Sequence, residues 1–394
     1  MNVLVLNCGS SSAKFAVIDP ITSQQAVAGI AQRLGAPEAS CDWVIDGTKH
    51  SRPIPGAHHE EALRAVVALL QELGLAESIV GVGHRVVHGG SRFASSMRIT
   101  PEVIAKVEEC VPLSPLHNPP NLLGIRIAQE LFPRLPQIGV FDTAFHQTMP
   151  PVAYTYPVPH DWLDTHGVRR YGFHGTSHRF VAKQAVVQGQ FDPHDHRLVT
   201  AHLGNGSSCA AVRDGLSVDT TMGLTPLEGV MMGTRSGSID PAIIGYMATA
   251  TGQSEQAVID ALNKKSGLLG VSGRSNDMRT LEQAAADGDV RAQLAIEIFC
   301  YVLAKAIAGL VVPLGRLDAL VFTGGIGENS VLVREKVVGL LPFLGLTIDP
   351  VSNASHGRDR AGCITTRTRP QAMVVRTNEE LMIAMDTAEI VQRG

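Results

Sequence analysis

Two stretches of this chain share one design, and that recurrence constrains the fold more than any other feature. The first, "LVLNCGSSSAKF" (residues 4–15), is an apolar strand pattern, a run of small hydrogen-bonding residues, and a second strand pattern. In the second, "AHLGNGSSCAAV" (201–212), Gly206-Ser207-Ser208 repeats Gly9-Ser10-Ser11 at a distance of 197 residues, half of the 394. A strand, Gly/Ser turn and strand at both places predict an internal duplication.

The rest of the chain fits two α/β halves. "NVLVLN", "AKFAVID" and "QQAVAGIAQRL" read as strands, and "HHEEALRAVVALLQELG" as a helix that stops at Gly74. "SIVGVGHRVVHGG" and "RLPQIGVFDTAFHQT" read as buried strands, separated by "NPPNLLGIRIAQELF", whose prolines sit where a helix start tolerates them. The second half repeats the plan with "RLVTAHLGNGSSCAAVRDGLSVDTTM" as three strands, then helices from about 240 to 315. Strand "DALVFTG", helix "NSVLVREKVVGLL", strand "AMVVRT" and helix "NEELMIAMDTAEIVQRG" close it. Strands and helices mixed through short connections make the class α/β. A chain of 394 residues is too long for one ordinary core, and no low-complexity linker interrupts it. Two lobes around a cleft are therefore expected, one of 1–143 with 380–394 and one of 144–379.

Composition narrows the function. A net charge of −4 gives no electrostatic case for nucleic acid or an anionic membrane as partner. The six cysteines are scattered without C-x-x-C spacing, which predicts reduced thiols and a cytoplasmic protein, not a disulfide framework or zinc site. No signal-like segment precedes the first strand. The most apolar stretch, "AIEIFCYVLAKAIAGLVVPLG" (295–315), carries Glu297 and Lys305 and reads as a buried core helix, not a membrane span.

The turns carry the chemistry. Glycines let backbone N–H groups approach an anion, serine hydroxyls add donors, and Lys14 supplies a point charge. "FTGGIGENS" (322–330) is a third such loop, ending a strand and opening a helix, although it is neither a P-loop nor a dinucleotide fingerprint. Arg85 lies in an otherwise apolar strand and Arg235 in a Gly/Ser loop, two places where a guanidinium fork can bind a carboxylate or phosphoryl group. Each could equally pair with an acid elsewhere in the fold. Acids that could hold a metal are few: Asp142 at a strand end, and Glu379 or Glu380 at the start of the last helix. That suits Mg²⁺ bound largely through nucleotide phosphates. His174, before Gly175 and a Thr/Ser-rich helix start, can donate a hydrogen bond to developing negative charge. His202 stands beside the second turn, and His84, His88, His117, His146 and His178 read as structural.

Taken in order, "LVLNCGSSSAK", "GHRVVHGG", "SPLHNPPN", "VFDTAFHQTMP", "RRYGFHGTSH", "HLGNGSS", "GTRSGSIDPA", "LLGVSGRSNDMR", "FTGGIGEN" and "TNEELMIA" resemble the acetate kinase (acetokinase) family of the actin/sugar-kinase/Hsp70 superfamily. The resemblance implies a duplicated ribonuclease-H-like, actin-like ATPase fold and a homodimer. It also implies reversible transfer from ATP to acetate, giving acetyl phosphate and ADP, with Mg²⁺ or Mn²⁺. It places Asn7 and Glu379 at the metal and Ser10, Ser12 and Lys14 near the phosphates. Asp142 matches the essential aspartate, Arg85 and Arg235 the carboxylate and phosphoryl clamps, and His174 the transition-state donor. His202, Leu203, Gly204, Asn205 and Gly206 match the second phosphate loop. Asp277, Met278 and Arg279, with Gly325, Ile326, Gly327, Glu328 and Asn329, match the adenosine side. Val87, Leu116, Phe173 and Pro226 fall where the family walls the acetate methyl. Two departures are Cys8, where alanine is common, and Ser238, where aspartate often follows the second arginine and helps to orient it. Alternatives are a propionate or butyrate kinase of the same family, which a small pocket at Val87 disfavours, and an actin- or Hsp70-like ATP switch, which has no need of Arg85.

Overall fold

The computed structural model describes residues 1–367 and 369–393, and within them the chain forms two compact units. One holds Met1–Gln147 together with the chain from Asn378 on, and the other holds Thr148–Thr377. The boundaries fall a few residues from those expected at 143/144 and 379/380. Residues 144–147 stay with the first unit, where His146 N–H and Gln147 Nε2 both donate to the Thr143 carbonyl. Asn378 belongs with the last helix, Glu379–Gln392, because its side chain caps Leu381 N–H at 2.9 Å. Gly394, the end of the expected 380–394 segment, lies outside the described residues.

Among the described residues, the first unit has the strands β1 (Asn2–Cys8), β2 (Ser12–Ile18), β3 (Gln25–Gln32), β4 (Ser40–Ile45), β5 (Thr48–Pro53), β6 (Ile79–Val86), β7 (Met97–Arg98) and β8 (Gln137–Phe141). Their order across one sheet is β5-β4-β3-β2-β1-β6-β8-β7. The second unit has β9 (Arg197–Leu203), β10 (Ser207–Arg213), β11 (Leu216–Thr220), β12 (Ala319–Thr323) and β13 (Gln371–Val374), in the order β11-β10-β9-β12-β13. The duplication is written in this topology. In each unit the first strand runs antiparallel into a second and third and on its other side pairs parallel with a later strand, which pairs parallel with a fifth: β3-β2-β1-β6-β8 in one, β11-β10-β9-β12-β13 in the other. The matched Gly-Ser-Ser letters are not in register, however. Ser10 and Ser11 lie in the β1–β2 connection, whereas Ser207 and Ser208 already belong to β10: the connections 9–11 and 204–206 correspond in place, and the matched letters run past the second one.

Each sheet is buried by helices whose apolar positions recur at helical spacing. The helix Val290–Val311 shows it best: Ala292, Ala295, Ile296, Phe299, Cys300, Leu303, Ala304, Ile307 and Leu310 are all buried. It is the one described helix long and apolar enough to cross a membrane, and these residues lie in the second unit's core with Val199, Ala201 and Phe322. In the first unit, Leu4, Leu6, Phe15 and Val17 pack against the helix His59–Glu72 through Leu63, Val66 and Leu70. All six cysteines are buried free thiols, and burial pushes the Cys8 thiol up to about 12. They are inert packing residues.

Arg334 is a core residue of another kind. It is 0 % exposed and, among the described residues, has no acid partner within hydrogen-bond reach; its guanidinium donates to Asn353 Oδ1 and O, and to the carbonyls of Gly327 and Glu328. Burial lowers its pKa to about 10. It clamps the helical turn Gly324–Asn329 from behind, which is where "GGIGEN" sits. Arg334→Leu leaves those acceptors without a donor and should cost about 2–4 kcal/mol, read as a lower urea midpoint for the second unit. An unchanged midpoint would show that the turn holds itself.

Candidate active site

In the first unit the candidate site residues gather around the carboxyl ends of the central strands, the usual ligand edge of an open α/β sheet. Asn7 and Lys14 are directly opposed in the β1–β2 pair and project from the same face. Arg85 is next to last in β6, and Asp142 follows β8 immediately, so parallel neighbours bring them side by side. The Arg85 guanidinium donates to Asp142 through Nε (3.1 Å to both oxygens) and through Nη2 (2.7 Å). This uses one edge of the fork and leaves Nη1 for a ligand. Asp142 is 1 % exposed. Burial pushes its carboxyl up against the pull of Arg85, and although burial opposes the arginine's charge, Asp142 and Glu379 hold it above the usual guanidinium value.

A cavity of about 220 Å³ opens beside this pair, lined by Asn7, Lys14, Arg85, Glu379 and Glu380, among others. Since Asn378 caps the last helix, Glu379 is not needed as a cap. Glu379 Oε2 is buried without a hydrogen-bond partner and stands 3.9 Å from Arg85 Nη2. Among the described residues no group of three His, Cys, Asp or Glu could hold a metal. One orphaned carboxylate oxygen at a cavity that Asn7 also lines fits Mg²⁺, which keeps its waters and takes the rest of its shell from phosphates. Ser10 and Ser12 lie at the β1–β2 turn, outside this lining, and the Gly9 N–H is used internally by the Ser12 carbonyl at 2.8 Å. The loop after Arg85 is pinned by side chains the sequence did not single out: Asn121 Oδ1 accepts from Val87 N–H, Asn118 Oδ1 from His88 N–H, and Asn121 Nδ2 donates to the Cys8 carbonyl.

In the second unit, His174 caps the helix Gly175–Gln188 with φ +55°, a left-handed conformation that costs a non-glycine residue about 1 kcal/mol or more. Its ring stacks on His202 with centroids 4.4 Å apart. A Cβ added at Gly206 would lie 3.3 Å from His174 Nε2 and 3.6 Å from Arg235 Nη1, so both cationic or donor groups converge on the turn 204–206. Among the described residues Arg235 makes one long hydrogen bond, 3.5 Å to the Pro226 carbonyl, and burial lowers its pKa. Ser238 does not reach it; its hydroxyl accepts from Gly229 N–H and closes the loop instead.

A second cavity, of about 570 Å³, is lined by Gly204, Asn205, Asp277, Met278, Arg279, Gly325, Ile326 and Asn329, all expected, and by Asn276, Glu282 and Ser330, which were not. Asn276 Nδ2 donates to Asn205 Oδ1, and Ser330 hydrogen-bonds Glu282. Asp277 caps the helix Met278–Ala286 through Thr280 N–H, which holds its carboxyl below the usual range. Leu203, Gly327 and Glu328 do not line it. Leu203 is core, Gly327 packs against β12, and Glu328 accepts from Gly324 and Thr377 N–H and so braces the turn. His202 is held by Ser177 at 2.8 Å. Of the proposed methyl wall, Val87 and Leu116 lie in the first unit and Phe173 and Pro226 in the second, with Leu116 59 % exposed and Phe173 buried.

Residues 2–385 match the profile of the Acetokinase family. The chain is 52% identical over 391 residues to an acetate kinase of Deinococcus radiodurans, covering 99% of this chain and 98% of that one. Among solved structures, a propionate kinase from Francisella tularensis superposes with a TM-score of 0.95 at 44% identity, covering 99% of both chains. An acetate kinase from Porphyromonas gingivalis gives 0.92 at 43%, again over 99% of both.

Proposed function

This chain belongs to the acetokinase family, and from that premise we propose that it transfers the γ-phosphoryl group of ATP to acetate, reversibly and in line, giving acetyl phosphate and ADP. The observation that carries the reading is the Arg85–Asp142 pair beside the orphaned Glu379 oxygen. A nucleotide switch has no use for a guanidinium whose free edge faces a small polar cavity.

Acetate is already ionised at neutral pH and needs no general base. Its requirements are alignment and relief from repulsion by the phosphates, and phosphoryl transfer is largely electrostatics and positioning. Arg85, held by Asp142, takes the acceptor carboxylate. Asp142 orients the arginine and accepts no proton. Asn7 and Glu379 would hold Mg²⁺, and Mg²⁺, when bound, neutralises charge on the phosphates. Lys14 adds a point charge, Arg235 and His174 stabilise the transferring group, and the 570 Å³ cavity takes the nucleoside. Cytoplasmic location and a homodimer complete this reading.

Incubation with ATP, Mg²⁺, acetate and hydroxylamine should yield acetohydroxamate, trapped from acetyl phosphate; ATP turnover without hydroxamate would favour the switch. Acceptor length is tested separately. One extra methylene in a fitted apolar site is worth about 1–3 kcal/mol, so kcat/KM for acetate should exceed that for propionate roughly tenfold or more. A preference for propionate would move the chain to the alternative acceptor.

A further inference from the structure

Behind His174 lies a file of hydrogen bonds that the transfer reaction, as described, does not use. Thr200 Oγ1 is 2.8 Å from His178 Nδ1, His178 Nε2 is 2.8 Å from Ser208 Oγ, and Ser208 Oγ is 2.9 Å from His174 Nδ1. Thr200, His178 and Ser208 are each 0 % exposed. β9 supplies the threonine, β10 the serine, and the helix Gly175–Gln188 the buried histidine.

A neutral imidazole carries one N–H and a hydroxyl one O–H, so each link dictates the next. Two orders are self-consistent. In the first, Thr200 donates to His178 Nδ1, His178 Nε2–H donates to Ser208, and Ser208 donates to His174 Nδ1, leaving the His174 proton on Nε2. In the second the file runs backwards, the His174 proton sits on Nδ1, and Thr200 turns to the Ala210 carbonyl. That carbonyl is 3.4 Å away, a long bond beside 2.8 Å to the ring nitrogen. At the other end, His174 Nε2 approaches the same point of the Gly206 turn as Arg235 Nη1, where an anion calls for a donor. An imidazolium would supply one too, but the Arg235 guanidinium converging on the same turn disfavours a second positive charge there.

We propose that Thr200, His178 and Ser208 form a polarised file that locks neutral His174 as the Nε2–H tautomer, making His178 and Ser208 positioning residues for transfer. The inference rests on reading His174 as donor to the transferring phosphoryl group. It explains why a histidine that looked structural in sequence is buried with both ring nitrogens engaged.

Long-range ¹H–¹⁵N spectra of histidine-labelled protein test it, with His174→Gln assigning the signals. In the unsubstituted protein His174 and His178 should both be neutral Nε2–H tautomers. Ser208→Ala should return His174 to a mixture containing Nδ1–H and lower kcat about 10- to 50-fold, with KM for acetate and ATP within about twofold, since an oriented donor acts in the transition state. His178→Gln keeps an N–H aimed at Ser208 and should retain far more kcat than His178→Leu. A protonated or Nδ1–H His174 in the unsubstituted protein overturns the file whatever the variants do. So does Ser208→Ala with an unmoved tautomer and normal kcat. Because the spectra need no turnover, absence of acetyl phosphate synthesis would sink the functional reading while leaving the tautomers to be judged on their own.

Discussion

Arg85→Ala is expected to lower kcat/KM for acetate about a thousandfold, and ADP binding measured by calorimetry should stay within a few fold. A fork that meets a carboxylate in a partly desolvated cavity and also faces developing charge is worth about 4 kcal/mol, which is that factor. The same substitution should destabilise the first unit by about 3–5 kcal/mol, because it strands Asp142 as a buried carboxylate without its guanidinium. Activity and folding are separable here. Arg85→Ala combined with Asp142→Asn removes both charges, so urea unfolding should recover most of the loss while acetate kinetics stay crippled. Arg85→Lys should be intermediate in stability and still poor in turnover: an ammonium cannot reproduce contacts made through both Nε and Nη2 while leaving an edge for acetate. Unchanged acetate kinetics in Arg85→Ala would remove this residue from the acceptor site.

The sheet cores were legible because their strands are short, mostly apolar runs closed by turn residues, and the parallel strands are buried along almost their whole length. β4 and β5 were not legible. "TKHSRP" is the edge strand, polar and almost wholly exposed, so it leaves no periodic signal, and "SCDWVI" is its six-residue inner neighbour. The expected loop "GGIGEN" turned out helical, braced by its own Glu328 and by Arg334 from the next helix, which Asn353 holds in place across a separation no local pattern reveals. Site residues that stand out chemically against their neighbours, such as Arg85 among valines, could be singled out. Those that act by reaching across the fold could not. Asn118 and Asn121 look like ordinary helix residues, and His178 and Ser208 become informative only when β9, β10 and the helix at 175 are brought together. Asn276 sat beside the expected Asp277, so the loop was found and the residue missed.

Arg235→Leu should cut kcat about a thousandfold and yet leave the second unit as stable or more stable. Among the described residues this guanidinium pairs with no carboxylate, and a long bond to the Pro226 carbonyl is poor compensation for burial. A half-buried cation without a counter-ion costs free energy in the empty protein, and an uncharged apolar side chain there relieves that cost by about 1–2 kcal/mol. When a phosphoryl group arrives, the debt becomes an asset: the charge is already desolvated and aimed at the turn it shares with His174 Nε2, so no reorganisation is needed as negative charge shifts. The two arginines thus respond oppositely in folding while failing alike in turnover. Arg85 is neutralised within the chain and its loss strands an acid; on the proposed reading Arg235 serves a ligand, and its loss strands no acid. Thermal unfolding with and without ADP, set beside kcat, checks this directly. A large drop in the midpoint for Arg235→Leu without nucleotide would mean that the guanidinium serves the fold and not the transferred group.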